Sequence, residues 1–350
     1  AGDDALAGAD LTYSWTVADA NRTALAGVSS TSVDPRFLKL PARAFDAGRA
    51  YFATARVVDR RTGRNNSLEV RLDVQSSPLV ARLAGGSARV AGASAQLALD
   101  ASGSYDPDSA SAGLDATGGA LRFLWSCKAA NASVCARVAA AASPAGAFNG
   151  TAQARYASVV VAGGALAAGE AFVALARVLD AAGGRSANAT CAVDVVDDGG
   201  GLTPPPPVAI APLATAKANP SAKLALRAEV GPVAAGAGTG ATATWRLASG
   251  SLADASGALA GVALSPLTVA CAANATVVSY LVLRAGALTD GAAYAFELVA
   301  AYDGDGAGAW PTGRAAIDVR ANAAPTSGSL AIAPRAGVAR STRFAFSCAG

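Results

Sequence analysis

The chain repeats itself at the length of a β-sandwich domain. Trp15 in LTYSWTV, Trp125 in LRFLWSC and Trp245 in ATATWRL sit 110 and 120 residues apart, each inside an alternating strand-like run. A second anchor keeps the period. GRAYFATARVVD ends at Asp59, GEAFVALARVLD at Asp180 and GAAYAFELVAAYD at Asp303, spaced by 121 and 123 residues. Tyr51, Ala53, Ala55 and Val57 in the first copy, and Phe172, Ala174, Ala176 and Val178 in the second, share one face of a strand because side chains alternate with period two. The Asp then opens a Gly-rich hairpin, and NSLEVRLDV, NATCAVDVV and GRAAIDVRA read as the closing strands. The expected organisation is all-β: residues 1–76 form a module missing its first strands, 78–200 and 201–322 form complete modules, and 323–350 open a further one.

Leu97 to Cys127 shows the unit most plainly. Leu97 and Leu99 face one way and Gln96 and Ala98 the other; Asp100, Ser102, Ser104, Asp106, Pro107 and Asp108 then stop the strand, since these residues hydrogen-bond their own backbone or preset φ. Leu121, Phe123 and Trp125 restore the alternation.

LDASGSYDPD followed by a strand ending in W-S-C resembles the PKD-type and REJ (receptor for egg jelly) modules of polycystin-1-like proteins. Asn322 to Cys348, NAAPTSGSLAIAPRAGVARSTRFAFSC, is similar to the REJ pattern of N-x-P, G-S, a hydrophobic-Pro-x-x-Gly step and a strand closing in Cys. Composition is the departure, because many positions are Ala or Gly where the family carries larger or more polar residues. The resemblance implies tandem immunoglobulin-like sandwiches (PKD, REJ or fibronectin III-like) in the ectodomain of a large cell-surface glycoprotein. Its implied role is adhesion, force transmission or association with a polycystin-type channel, at an extracellular site such as the ciliary or flagellar membrane, without catalysis. The aromatic after Gly-x-Ala at Tyr51 and its repeats also resembles the tyrosine-corner position of immunoglobulin-like domains.

About a quarter of the residues are Ala and 38 are Gly, so the 52% hydrophobic content promises small, thin cores. These Ala interleave with Val, Thr, Tyr and Phe at period two and therefore read as strand. Net charge is +3 with 15% charged residues and no run of one sign, which speaks against nucleic acid or an anionic membrane as partner. No segment approaches the ~18 apolar residues of a membrane span. With no Met, the sequence reads as a mature or internal piece of something longer.

Compartment is indicated by sequons. Asn21, Asn65, Asn131, Asn149, Asn188 and Asn274 each open Asn-x-Ser/Thr, six of nine asparagines where chance gives about one. N-linked glycans and an extracellular location follow as expectations. Five cysteines in such a compartment suggest disulfides with one left over, and five thiols allow fifteen two-bridge pairings. Of these, Cys127 with Cys135 is the pair that fits the W-x-C…C arrangement of REJ regions. Cys348 is expected to pair beyond the segment, while Cys191 and Cys271 could meet only if two modules touch.

A chain with no His excludes Ser-His-Asp and Cys-His nucleophile systems and His-ligated zinc. GPVAAGAGTG and VAGGALAAG lack the Gly-Lys-Ser/Thr ending of a phosphate loop. No cofactor is expected. Calcium is the one metal to weigh: Asp100, Asp106 and Asp108 could converge at a sandwich end as acidic positions do in some PKD-like modules, with turn chemistry as the plainer reading. Asp303 and Asp305 lack the ladder of an EF-hand loop. Trp15, Trp125 and Trp245 recur at one module position and read as core anchors, leaving Trp310 as the one candidate for an exposed hairpin aromatic. Pro204 to Pro207 reads as a polyproline spacer, a groove-docking ligand, or a hydroxylated and glycosylated tract. Expected partners are other extracellular or membrane proteins, a polycystin-type channel, or copies of the chain itself. A purely structural alternative, a subunit of an extracellular or flagellar-surface fibre or cell wall in which module edges pair, suits the same features.

Overall fold

A computed structural model describes residues 11–349 except 42–43, 110–112, 115–117, 214, 216, 234–239, 255–257, 273, 304–309, 324–328, 335 and 337–344. The chain divides into two compact units: Ala1–Val80 with Ser104–Arg122 and Val178–Ala187, and Ala81–Gly103 with Phe123–Arg177 and Asn188–Gly350.

In the first unit β1 (Leu11–Asp19), β2 (Ala50–Asp59) and β3 (Asn65–Asp73) form an antiparallel sheet in the order β1-β2-β3. The register sets Val17 opposite Ala53 opposite Val70, and Trp15 opposite Ala55 opposite Leu68, so these six residues share one face, while Phe52 lies on the other beneath the Arg22 guanidinium. Tyr51, Ala53 and Val17 are buried there, but Leu68 and Val70 are not.

The second unit contains two sandwiches. In the first of them β5 (Leu97–Asp100), β7 (Ala142–Ser143) and β8 (Ser158–Val161) form one layer, ordered β5-β8-β7. The other layer holds β4 (Ala88–Gly92), β6 (Arg122–Lys128), β9 (Ala171–Leu179) and β10 (Ser186–Val196). Leu97, Leu99, Val159 and Val161 of the first layer and Phe123, Trp125, Phe172, Ala174 and Ala176 of the second are all buried. In the second sandwich β11 (Val208–Ile210), β12 (Leu224–Val230) and β15 (Val277–Leu283) form one layer. β13 (Gly240–Ser249), β14 (Thr268–Ala272), β16 (Ala293–Tyr302) and β17 (Gly313–Arg320) form the other. The core runs from Ile210, Leu226 and Leu281 on one side to Trp245, Phe296 and Leu298 on the other. Ala174, Ala176, Ala243 and Ala300 are fully buried at inward positions, so small side chains make up part of both cores. β18 (Ser329–Ala333) and β19 (Ala345–Ala349) pair antiparallel near the end of the chain.

Two expectations need correction. Residues Ala132–Ala140, ASVCARVAA, form a helix, α1, where the Ala-rich composition read as strand. Val134 and Val138, four apart, bury one stripe; no Gly or Pro interrupts; and the Asn131 side chain accepts the Ser133 N–H as an N-cap. Trp125 and Trp245 are 1% and 2% exposed, as core anchors should be, but Trp15 is only half buried. Among the described residues no second sheet lies over its face in the first unit, and its Nε1 donates instead to the Pro35 carbonyl in the loop before β2, at 3.1 Å.

Candidate functional site

With the two sandwiches of the second unit in place, their most distinctive feature is a shared sheet. Eight strands run in the order β14-β13-β16-β17-β4-β10-β9-β6, so the outer layers of both sandwiches are one continuous sheet. β4 is the seam. It lies parallel to β10 of its own sandwich over Ala88–Gly92, and antiparallel to β17 of the next through Ala88 opposite Ala316 and Arg89 opposite Ala315.

The seam is built from small residues. Gly86 has φ +106°, and a Cβ there would stand 2.2 Å from the Ala316 carbonyl oxygen, so only glycine permits the approach. That oxygen accepts the Ser87 N–H at 2.6 Å, and the Ile210 N–H reaches the Gly85 carbonyl at 3.4 Å. Arg314 of β17 donates to Asp194 of β10 at 2.5 Å, an ion pair across the seam. Both partners are more than a third exposed, so the contact contributes orientation more than stability. Asp198, just past β10, is buried and accepts from Ser94 Oγ at 2.5 Å and Ser94 N at 3.0 Å. Burial pushes its carboxyl up, but these bonds and the Gly201 N–H outweigh that and hold it below the usual carboxylate range.

Pro204 to Pro207 is not a solvated spacer. Pro205 and Pro206 are buried. Tyr302 Oη donates to the Pro204 carbonyl at 2.8 Å, the Gly231 N–H donates to the Pro207 carbonyl at 2.7 Å, and a Cβ on Gly313 would fall 1.8 Å from the Pro206 carbonyl. A polyproline strand satisfies none of its own carbonyls, so it can be strapped to a surface by donors from its neighbours. Trp310 is half buried and its ring lies 5.0 Å from that of Tyr302, beside the same strap.

The acidic candidates separate. Asp106 and Asp108 come together in the first unit around Arg185, whose Nη2 is 2.5 Å from Asp106 and whose Nη1 is 3.6 Å from Asp108; Asp180 joins through the Arg185 Nε at 3.2 Å. The Ser77 N–H and hydroxyl donate to Asp108 at 2.7 and 2.6 Å, and Arg185 Nη1 donates to the Ser77 carbonyl at 2.9 Å. Bonding to Asp106 above all raises the Arg185 pKa from an already high value. The cation held here is therefore a guanidinium, and Asp180, which sequence reasoning placed only as a repeat anchor, is its third carboxylate. Asp100 belongs to the second unit and accepts from Ser102 N–H at 2.9 Å and Ser158 Oγ at 2.6 Å. Burial raises its pKa, and those bonds lower it further than burial lifts it. Among the described residues no group of three or more Cys, Asp or Glu side chains is arranged to hold a metal ion. Asp303 accepts from Thr242 Oγ1 at 2.6 Å, whereas Asp305 lies outside the described residues.

Asn21, Asn65, Asn131, Asn149, Asn188 and Asn274 are all exposed, as are the non-sequon Asn66, Asn219 and Asn322, so exposure permits glycans at the six without singling them out. Asn131 and Asn149 each accept the N–H of the sequon Ser133 or Thr151 at 2.9 Å, which fixes the acceptor side chain in an Asx turn. Cys127 at the end of β6 is bonded to Cys135 in α1, with Cα atoms 5.5 Å apart. Cys191 and Cys271 are buried and free. Burial, then the charge of Asp303, pushes the Cys271 thiol up. Cys348 lies in β19, with its side chain outside the described residues. The tyrosine-corner position is realised twice: Tyr51 Oη accepts the Asp46 N–H at 2.9 Å and Tyr294 Oη accepts the Thr289 N–H at 2.7 Å, while the second copy carries Phe172 and no hydroxyl.

The seam glycines and the buried prolines escaped sequence reasoning. The Gly85-Gly86 doublet and Pro311-Thr312-Gly313 are turn signals, and nothing in a turn signal says that another strand will press on it.

The family model described as REJ domain matches residues 6–350. No curated protein matches the sequence. Among solved structures, the FN1–FN3 domains of chicken CNTN1 share 11% identity over 89% of this chain and 91% of that one, with a TM-score of 0.23. Drosophila N-cadherin EC1-4 shares 10% over 89% and 67%, with a TM-score of 0.31.

Proposed function

The chain belongs to the REJ domain family, and from that membership we propose that it is a non-catalytic segment of a cell-surface ectodomain that transmits force and engages other extracellular or membrane proteins, a polycystin-type channel among them. The observation that carries this reading is the eight-stranded sheet running through two sandwiches. Modules hung on free linkers rotate under load, whereas a strand shared between two modules resists being pulled out until several backbone hydrogen bonds break together. The Cys127–Cys135 bond and N-glycans at the six sequons would protect such a segment from proteolysis. The absence of His from the sequence supports a non-catalytic role. No helix among the described residues is long and apolar enough to cross a membrane.

Stretching the full chain from its two ends in optical tweezers tests the proposal. Each sandwich is roughly 120 residues, or about 400 Å of contour at ~3.5 Å per residue. Coupled sandwiches should yield in one event of about 800 Å. Two separate events of about 400 Å at unrelated forces would defeat the force-bearing reading. A second reading, a subunit of an extracellular or flagellar-surface fibre, is favoured by the outer edge of β3, which has no strand partner among the described residues.

A further inference from the structure

β3 has the marks of a strand awaiting a partner. It pairs with β2 without interruption from Asn65 to Asp73, so no bulge bends it away, and neither Lys nor Pro occurs in NNSLEVRLD to discourage pairing. Its other edge has no strand partner among the described residues. Leu68 and Val70 are 68% and 49% exposed. The last strands of the two sandwiches are treated differently: β10 and β17 each have both edges paired, and the second partner of each is β4.

Which backbone groups are free follows from register. The Asp59 N–H donates to the Arg64 carbonyl and the Val74 N–H to the Arg49 carbonyl, so even-numbered residues of this strand turn their backbone groups toward β2. In an antiparallel ladder successive residues point to opposite sides, which leaves Ser67, Glu69, Arg71 and Asp73 directed outward. A second antiparallel strand must match outward residues with outward residues.

We propose that β3 is a self-association edge, and that its partner is β3 of a second copy of this chain, paired antiparallel about a two-fold axis through Val70. In that register Glu69 lies opposite Arg71 of the second copy and Arg71 opposite its Glu69. Leu68 meets Leu72, Leu72 meets Leu68, and Val70 meets Val70. Sliding by two residues, the smallest step that keeps outward groups matched, sets Glu69 against Glu69 or Arg71 against Arg71. Charge therefore selects one register of the isologous pair. Glu69 now pairs with Arg22 and Arg71 with Asp73, contacts of exposed side chains that cost little to exchange. The joined sheet has six strands with one continuous apolar face, and the paired span of Ser67 to Asp73 stops two residues short of the sequon at Asn65. The proposal does not depend on the fibre reading, because an isologous contact closes as a dimer and would pair two receptor segments equally.

The test is sedimentation equilibrium of the full 350-residue chain, produced without glycans, over a concentration series, with circular dichroism as the fold control. The unmodified chain should show a monomer–dimer equilibrium. Glu69→Arg alone places Arg against Arg twice, and Arg71→Glu alone places Glu against Glu twice; each should weaken dimerisation roughly tenfold or more. Mixing the two single variants should restore association as a heterodimer, and the double variant should restore the homodimer. A monomer at every concentration, or single variants that dimerise like the parent, overturns the proposal. Dimerisation that survives in the single variants but is lost in the Leu68→Ser variant would place the contact on the apolar face and refute the edge register.

Discussion

Replacing Gly86 by Ala tests whether β4 joins the two sandwiches as described. The residue has φ +106°, and its Cβ would come within 2.2 Å of the Ala316 carbonyl oxygen, a backbone atom of β17 that cannot step aside. Forcing Ala into this region costs about 1–3 kcal/mol. Relieving the clash also stretches the Ser87 N–H···O=C Ala316 bond, worth about 0.5–1.5 kcal/mol. Together they predict a loss of about 2–4 kcal/mol. Gly85→Ala is the internal control. Its φ is +88°, but its Cβ meets only the guanidinium end of Arg89 at 3.0 Å, which can swing away. It should lose about 1–2 kcal/mol from backbone strain alone. Hydrogen exchange followed by mass spectrometry in increasing urea reads the two sandwiches separately through peptides from β9 and β16. In the parent chain both should lose protection together. In Gly86→Ala the two transitions should part, and the β4 peptide should exchange first. Equal losses for the two variants, with β9 and β16 still unfolding together, would refute the claim that close packing at Gly86 is what couples the modules.

Other expectations follow from single contacts. Tyr294→Phe leaves the Thr289 N–H without its acceptor beneath a residue 2% exposed, and should cost about 1–2 kcal/mol in urea denaturation, whereas Phe172→Tyr, in the copy that lacks the hydroxyl, should bring no gain in the same assay. Replacing Cys127 and Cys135 together by Ala opens a loop of sequence separation 8 and should cost about 2–3 kcal/mol by loop entropy, measured as a thermal midpoint; an unchanged midpoint would show that α1 is held by Val134 and Val138 alone. Asp198 and Asp100 have carboxyl pKa values lowered in the folded chain, so their contribution to stability is present above the ordinary carboxylate pKa and is lost as pH falls through the folded value. Stability should therefore fall below about pH 4, and Ser94→Ala should flatten that fall; a pH profile identical to the parent's would count against the Ser94–Asp198 bond. Peptide mass spectrometry of secreted protein should find glycans on the six sequon asparagines and none on Asn66, Asn219 or Asn322, and bare asparagines at all six would remove the extracellular premise.

Much of this architecture could be read along the chain because it is written in local periods. Alternation around Trp125 and Trp245, the Tyr294 and Phe172 strands, and the Asp/Ser/Pro turn at Asp100 to Asp108 report which face is buried and where a strand must stop. Both are decided within a few residues. The Cys127–Cys135 bond was legible through a family resemblance. Helix α1 was not, because Ala, Val and Cys in ASVCARVAA suit a short helix or a buried strand, and the N-cap at Asn131 decides between them only once the loop geometry is formed.

Sequence by itself settled the strand-rich fold class, the repeat near 120 residues, the exclusion of His-dependent chemistry and the sequons on which an extracellular reading rests. Tertiary structure alone decided that β4 joins β10 to β17, that Pro205 and Pro206 are buried rather than solvated, that Arg185 gathers Asp106, Asp108 and Asp180, and that the outer edge of β3 has no strand partner among the described residues. The physical reason is distance along the chain. Gly86 and Ala316, or Arg185 and Asp106, meet only after the strands between them have packed, and backbone hydrogen bonds join any strand to any other whatever the side chains. Local patterns fix which face of a strand is wet, and only the assembled sheets fix which strand lies beside it.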